Sequence, residues 1–560
     1  MNDLSPAFPR RDPDVVMRLS RLGSLHQSRL SFMRILMRRM ASEKWRFLRP
    51  TFKIDDAGVG YAVYTVKTQN RSYSLVAFAH DLAPENRSDR VIAEAWDATF
   101  TLFDGIPTDA DIERLSRNVP FQEAGRISEK ELTLSRANRS VRLWEHVVSR
   151  LANGQQPDIE QIQNVGYLMR TTAVYGSGKF GAADRETIED RSEFQEPFQV
   201  EMLTVYLIRT FVLDLVNHMA QAKGQTKAIT LDRHIAQNLG IGNSTGLGMA
   251  PFLINHPVLF NNWIMVREEA ICRVRSVSAA TEQESNAFLS LFERSKISIG
   301  RWSSDHPIQK KRLLALNADV SKLEAQLRAF DFDQSHPWDR LLDWSDEALS
   351  EEGQEFLNSL ILEPYPHLVD GLSTCMADHF ENTFRVDGSM SVGEAQRLIE
   401  QSFQWALSKD WSAEAETARA WYVSEEKLEP RLGERFEEPI SEYEQPLAPA
   451  RDAVAALDAL EKYSEDDRVC TFLAENPQFR HTIRRAQMSK LGPYTEIRGN
   501  TIGADLLPID MLRAKLSFFG AIHFDPRSDR WVRICMFAGA PYPADLTTEN
   551  SDFWIYPEVA

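Results

Sequence analysis

Gly176-Ser-Gly-Lys-Phe-Gly181 and Gly240-Ile-Gly-Asn-Ser-Thr-Gly-Leu-Gly248 flank Pro197 to Ala220, the most apolar segment of the chain, and the reading of this stretch decides the fold. Glycine gives up more conformational freedom on folding than any other residue, so seven glycines in two short turns require backbone that takes positive φ or approaches a neighbour closely. Pro197 to Gly224 is apolar on nearly all sides, and a helix of that kind has to be surrounded by others, with Gly224 as its stop. Glu201, Arg209, Asp214 and His218 interrupt it, so it reads as a buried core helix and no membrane span.

Outward from this centre the pattern stays mostly helical. Pro157 to Val174 leads into the first glycine turn, and Ser128-Glu-Lys-Glu131 has capping-box spacing before a helix over Leu132 to Leu151. Phe52 to Gly105 carries period-2 segments that predict an antiparallel meander, and Val15 to Leu48 is an Arg-rich helix by periodicity. Downstream, helices are expected over Pro257 to Val277, Glu282 to Ile299, Trp338 to His379 and Ser391 to Trp411. His306 to Phe330 adds an apolar stripe that fits pairing within the fold or across a dimer. Phe518 to Phe524 and Arg530 to Phe537 form a hairpin signal around Asp525-Pro-Arg-Ser-Asp529. The expected fold is mainly α with minor β: a multi-helix core, a small N-terminal antiparallel sheet and a C-terminal β-hairpin. It divides into a basic helix plus sheet (1–105), a central helical core (106–410), an acidic helix and connector (411–449) and a C-terminal α+β segment (450–560).

The 560 residues, 43% hydrophobic and 26% charged, can bury a substantial interior. A formal charge of −17 argues against a nucleic-acid coat. The charge is uneven: the first 50 residues hold 11 Lys or Arg against 4 acids, whereas Trp411 to Cys470 holds 16 acids against 7 bases, so the two could attract each other. Four cysteines without a CxxC pair fit reduced thiols, and no signal peptide is legible, so a cytoplasmic location is expected.

Candidate chemistry gathers at the glycine turns. Gly176 and Gly178, with Lys179 inside the turn and Arg170 before it, would hold a carboxylate or phosphate on backbone N–H groups and fixed cations. GxGxxG also suggests a nucleotide, but a dinucleotide site needs a strand before the turn and a βαβ unit around it, and the preceding residues, the short Thr171-Thr-Ala-Val-Tyr175 aside, read as helix. Asn243, Ser244 and Thr245 would orient a ligand, and His256, interrupting an apolar run, would move a proton. Arg498, in a later polar loop, is a second binding contributor. Scattered histidines give no metal motif, and no cofactor is specified. The leading expectation is a soluble metabolic enzyme acting on a small anionic or acyl-type substrate by acid/base chemistry without a tightly bound metal. A homo-oligomer is the default, without nucleic acid or membrane as partner. The alternatives are a nucleotide-dependent oxidoreductase using the 176–181 glycine turn and a non-catalytic assembly or regulatory protein with the basic first helix, the His306 to Phe330 stripe and the acidic Trp411 to Cys470 segment as contact surfaces.

Overall fold

The computed structural model describes residues 8–83, 95–122, 127–171, 188, 191–245, 257–304, 307–376, 384–408, 410, 448–491, 508–525 and 532–556. Arg46–Ile54 (β1), Gly60–Lys67 (β2), Ser72–Ala79 (β3), Ala98–Asp104 (β4) and Glu131–Arg139 (β5) run as an antiparallel meander. Tyr167–Thr171 (β6) adds antiparallel to β5, and Gly240–Thr245 (β7) lies parallel to β6. Ile522–Asp525 (β8) and Val532–Met536 (β9) complete a nine-stranded sheet in the order β1-β2-β3-β4-β5-β6-β7-β9-β8.

The longer helices are Phe32–Ser42 (α1), Asp109–Asn118 (α2), Trp144–Ala152 (α3), Gln199–Gly224 (α4), Pro257–Arg275 (α5), Glu282–Gly300 (α6), Pro307–Arg328 (α7), Pro337–Ala348 (α8), Glu351–Leu360 (α9), Val392–Ser402 (α10), Ala448–Leu460 (α11) and Arg480–Leu491 (α12). The surrounded helix read from the sequence is α4. It lies on the sheet, with Thr204 Oγ1 2.9 Å from Thr133 Oγ1 of β5, Tyr64 of β2 donating to Asp214 at 2.7 Å, and Phe211 edge-on to Phe100 of β4. Leu115 and Val119, on and just after α2, cover the other face against Val76, Phe78, Phe103 and Leu134. A separate small core joins Val392 and Ile399 of α10, Ala453 and Leu460 of α11, Phe472, and Ile483 of α12.

The expected architecture is corrected here. The sheet is neither small nor N-terminal, and the C-terminal hairpin is no separate element: β8 and β9 form the far edge of the same sheet, attached through β6 and β7. Two segments read as helix are strands. β5 is buried on both faces, so it lacks the polar alternation that marks a half-exposed strand. Glu131, the supposed capping residue, instead pairs with Arg114 and accepts from the Ile127 N–H at 3.1 Å. β6 follows the short helix Ile159–Val165 after Gly166, whose left-handed φ of 72° ends that helix. Five residues buried throughout leave no period for a sequence reading to use.

Glycine geometry explains the third correction. Gly240 to Thr245 is strand β7, and its glycines serve close approach rather than positive φ. A Cβ on Gly240 would lie 2.4 Å from the Met536 carbonyl oxygen, and one on Gly242 would lie 2.5 Å from the Tyr167 ring. Gly224 acts similarly: a Cβ there would meet the Ala152 carbonyl at 2.2 Å, while Gln225 takes the left-handed turn at φ 49°.

The N-terminal stretch is helical over Phe32–Ser42, with short turns at Pro13–Val16 and Leu19–Arg21, and crosses the interior between them and α1. Its arginines pair within the chain. Arg11 reaches Glu268 and Glu355, both at 2.7 Å, Arg21 meets Glu355 at 3.0 Å, Arg29 meets Asp370 at 2.6 Å, and Arg34 meets Glu363 at 2.5 Å. The stripe on α7 is likewise interior, with Leu313, Leu316, Val320, Leu323 and Leu327 in the main core. Among the described residues no helix is long and apolar enough to cross a membrane.

Candidate functional site

Adjacent strands β6 and β7 point the same way, so the chain leaves both at one rim of the sheet, after Thr171 and after Thr245. Strands in a sheet lie about 4.8 Å apart, so these two exits are neighbours. The carboxyl ends of parallel strands are where an open sheet most readily forms a ligand crevice. α4 carries the chain from β6 back to β7, which makes a βαβ unit.

At this rim Asn243 of β7 is 5% exposed, and its Nδ2 donates to the Thr171 carbonyl at 3.2 Å. Its Oδ1 accepts from Lys515 Nζ at 3.0 Å. Lys515, 4% exposed, opens a π-helical turn, Lys515–Phe519, that continues the helix Pro508–Ala514. Such turns insert a wide loop into the helical ladder and are frequent at functional sites. Burial pushes the Lys515 ammonium down to about 7, because a low-dielectric interior penalises the charged form. A lysine in that range exchanges its proton near neutral pH, which an ordinary lysine does not. Thr171 Oγ1 continues the polar chain, bonding the Arg136 carbonyl at 3.1 Å and lying 3.0 Å from Ser135 Oγ.

Of the residues singled out in the sequence, Arg170 and Asn243 reach this rim, but on opposite faces. Arg170 registers with Gly242, one residue out of step with Asn243, and side chains alternate along a strand. Arg170 is buried within the sheet on the face away from α4. Ser244 and Thr245 continue β7 opposite Arg533 and Val532 through their backbones. Gly176, Gly178, Lys179, His256 and Arg498 lie outside the described residues. Contrary to the sequence reading, strand β6 precedes Gly176 and a βαβ unit runs from β6 through α4 to β7. The glycine turn itself lies outside the described residues, and the long crossover helix α4 begins at Gln199.

Lys515 was not anticipated. Its signal was available in Met511-Leu-Arg-Ala-Lys-Leu-Ser-Phe-Phe519, where a lysine sits in a run with apolar residues on both sides of it. His80, just after β3, and Asp97, just before β4, bond to neighbouring strands: His80 Nε2 lies 2.9 Å from Thr99 Oγ1 of β4, and Asp97 accepts from the Arg139 N–H of β5 at 2.9 Å. Comparison of the chain with protein-family models, with curated proteins and with solved structures found no match.

Proposed function

We propose that the protein is an enzyme acting on a small anionic or acyl-type substrate at the shared rim of β6 and β7, and that Lys515 moves a proton there. The observation that carries this reading is the chain Lys515 to Asn243 to the Thr171 carbonyl, a buried amine fixed at the carboxyl ends of two parallel strands. Asn243 positions the amine by accepting from it, and the Thr171 carbonyl sets which way the Asn243 amide faces. A neutral amine there takes a proton from a carbon or hydroxyl next to a carbonyl. The ammonium returns it in the second half of a turnover. General acid–base groups of this kind contribute about 10²- to 10⁴-fold in rate.

A panel of candidate substrates suffices for the test. The full chain is incubated in D2O with small hydroxy, oxo and acyl acids, and loss of carbon-bound hydrogen is followed by proton NMR. At least one member exchanges with the natural protein, and Lys515→Met slows that exchange by about a hundredfold or more. Exchange that persists in a folded Lys515→Met protein, or a panel in which nothing exchanges, overturns the reading.

A further inference from the structure

We infer that the anionic end of this substrate is held at the buried N-terminus of α1, by Ser31 and Gln199, and that the substrate is an oxyanion carrying at least one hydroxyl. The inference rests on the proton-transfer reading only for the identity of the reacting group, because the binding locus stands on its own observations.

Ser31 is the N-cap residue of α1, in the extended conformation such residues adopt, yet its side chain makes no capping bond. It is fully buried and its Oγ has no hydrogen-bond partner. A helix start leaves backbone N–H groups without intrahelical partners, and a buried start with no cap is costly. Gln199, 1% exposed at the first turn of α4, points its amide at this start: Nε2 donates to the Phe32 carbonyl at 3.1 Å and to the Pro197 carbonyl at 3.2 Å. Those two bonds fix the amide and leave Oε1 beside the helix start, buried and without a partner. Gln27, four residues before Ser31 in the same interior stretch, has neither amide atom paired.

The locus adjoins Lys515. Gly520 follows the π turn, its N–H donating to the Lys515 carbonyl at 3.1 Å, so the two residues stack one turn apart, roughly 5 Å along the axis. Gly520 has a φ of 86°, and a Cβ there would lie 2.7 Å from Ser31 Oγ, so only glycine lets the two segments meet. Phe32, Phe198 and Phe519 pack ring against ring with centroids 5.0 to 5.8 Å apart and wall this junction with apolar surface.

Chemistry selects the ligand. A helix N-terminus favours negative charge and presents donors to it. The Ser31 hydroxyl adds another donor. Gln199 Oε1 can only accept, so the ligand must also bring a hydrogen of its own. A hydroxy acid or a phosphate bearing a P–OH meets both demands, whereas sulfate offers acceptors alone.

The experiment is a series of thermal melts of the full chain at fixed ionic strength in inorganic phosphate, glycolate or sulfate. Phosphate or glycolate raises the midpoint by several degrees and sulfate does not, and whichever of the two shifts it more identifies the head group. Ser31→Ala removes only an unpaired hydroxyl, so that protein melts at or above the natural midpoint without ligand and loses the shift. Lys515→Met keeps the shift, which separates anion binding from proton transfer. Equal shifts in phosphate and sulfate, no shift in any of the three, a shift that survives in Ser31→Ala, or a Ser31→Ala protein that melts markedly lower without ligand would each overturn the inference. Carbon exchange without an anion shift would sink it while sparing the proton-transfer reading.

Discussion

Two buried charged regions of this molecule are built on opposite plans. Where the N-terminal stretch meets α5 and α9, Arg11, Arg21 and Arg267 converge on Glu355 at 2.7, 3.0 and 3.6 Å, and Arg11 and Arg267 also meet Glu268. There the arginines overcome burial and hold the Glu355 carboxyl down to about 2, so it stays charged. At the rim of β6 and β7, burial dominates Lys515 and moves it towards the neutral form. The contrast teaches how to tell scaffold from chemistry: a network that locks its charges holds elements together, whereas a group brought near neutrality is able to exchange protons.

The sharpest way to break the comparison is to remove the centre of the locked network. Glu355→Ala leaves three arginines without their shared carboxylate and is expected to cost about 3 to 5 kcal/mol, read as a large fall in the urea or thermal midpoint. The same network sets a pH limit. The folded Glu355 pKa lies below its ordinary 4.5, so its contribution is complete above that value and disappears as pH falls through about 2. At one pKa unit per about 1.4 kcal/mol this amounts to roughly 3 kcal/mol, visible as a falling midpoint between about pH 5 and 2 and diminished in Glu355→Gln.

Lys515→Met is expected to move stability the other way. The folded pKa of about 7 lies below the ordinary 10.5, so the unfolded chain binds more protons between those values and stability rises with pH across that window. Methionine removes that slope and stabilises the protein at neutral pH by a few kcal/mol while abolishing the proposed proton transfer. A Lys515→Met protein that is less stable at pH 7 would put the lysine in the same class as the arginine network.

Gly242→Ala forces a methyl against the Tyr167 ring and should cost about 1 to 3 kcal/mol, measured by denaturant titration, with a secondary loss of exchange activity as β7 shifts Asn243. The smallest effect is expected in the separate core, where Ser391 Oγ accepts from the Glu394 N–H at 3.2 Å. Ser391→Ala should cost about 1 kcal/mol and leave the proposed exchange activity untouched.

Legibility followed exposure. Strands β2 to β4 of the meander were readable because polar turn residues punctuate them, whereas β1 starts inside the stretch read as helix to Leu48. The cap at Ser391 was readable because its chemistry is local. β5, β6 and β7 were not: they are largely buried, so the pattern of two that marks a strand is erased. That loss hid the sheet's continuity from the N-terminal meander to the C-terminal hairpin. At the candidate site Asn243 was legible as a polar residue among glycines. Lys515, Ser31 and Gln199 were not, because their meaning lies in burial, which depends on neighbours remote in the chain.

By itself the sequence determined a surrounded central helix, an N-terminal meander, a set of amphipathic stripes and a pair of glycine-rich segments, since hydrophobic period and glycine spacing are local properties. Only the tertiary structure decided that the glycines of β7 admit a tyrosine ring and a carbonyl, that the basic N-terminal stretch is neutralised inside the protein, and that a lysine far along the chain reaches Asn243. These are questions of which surfaces lose water together, and they are settled by packing between segments hundreds of residues apart.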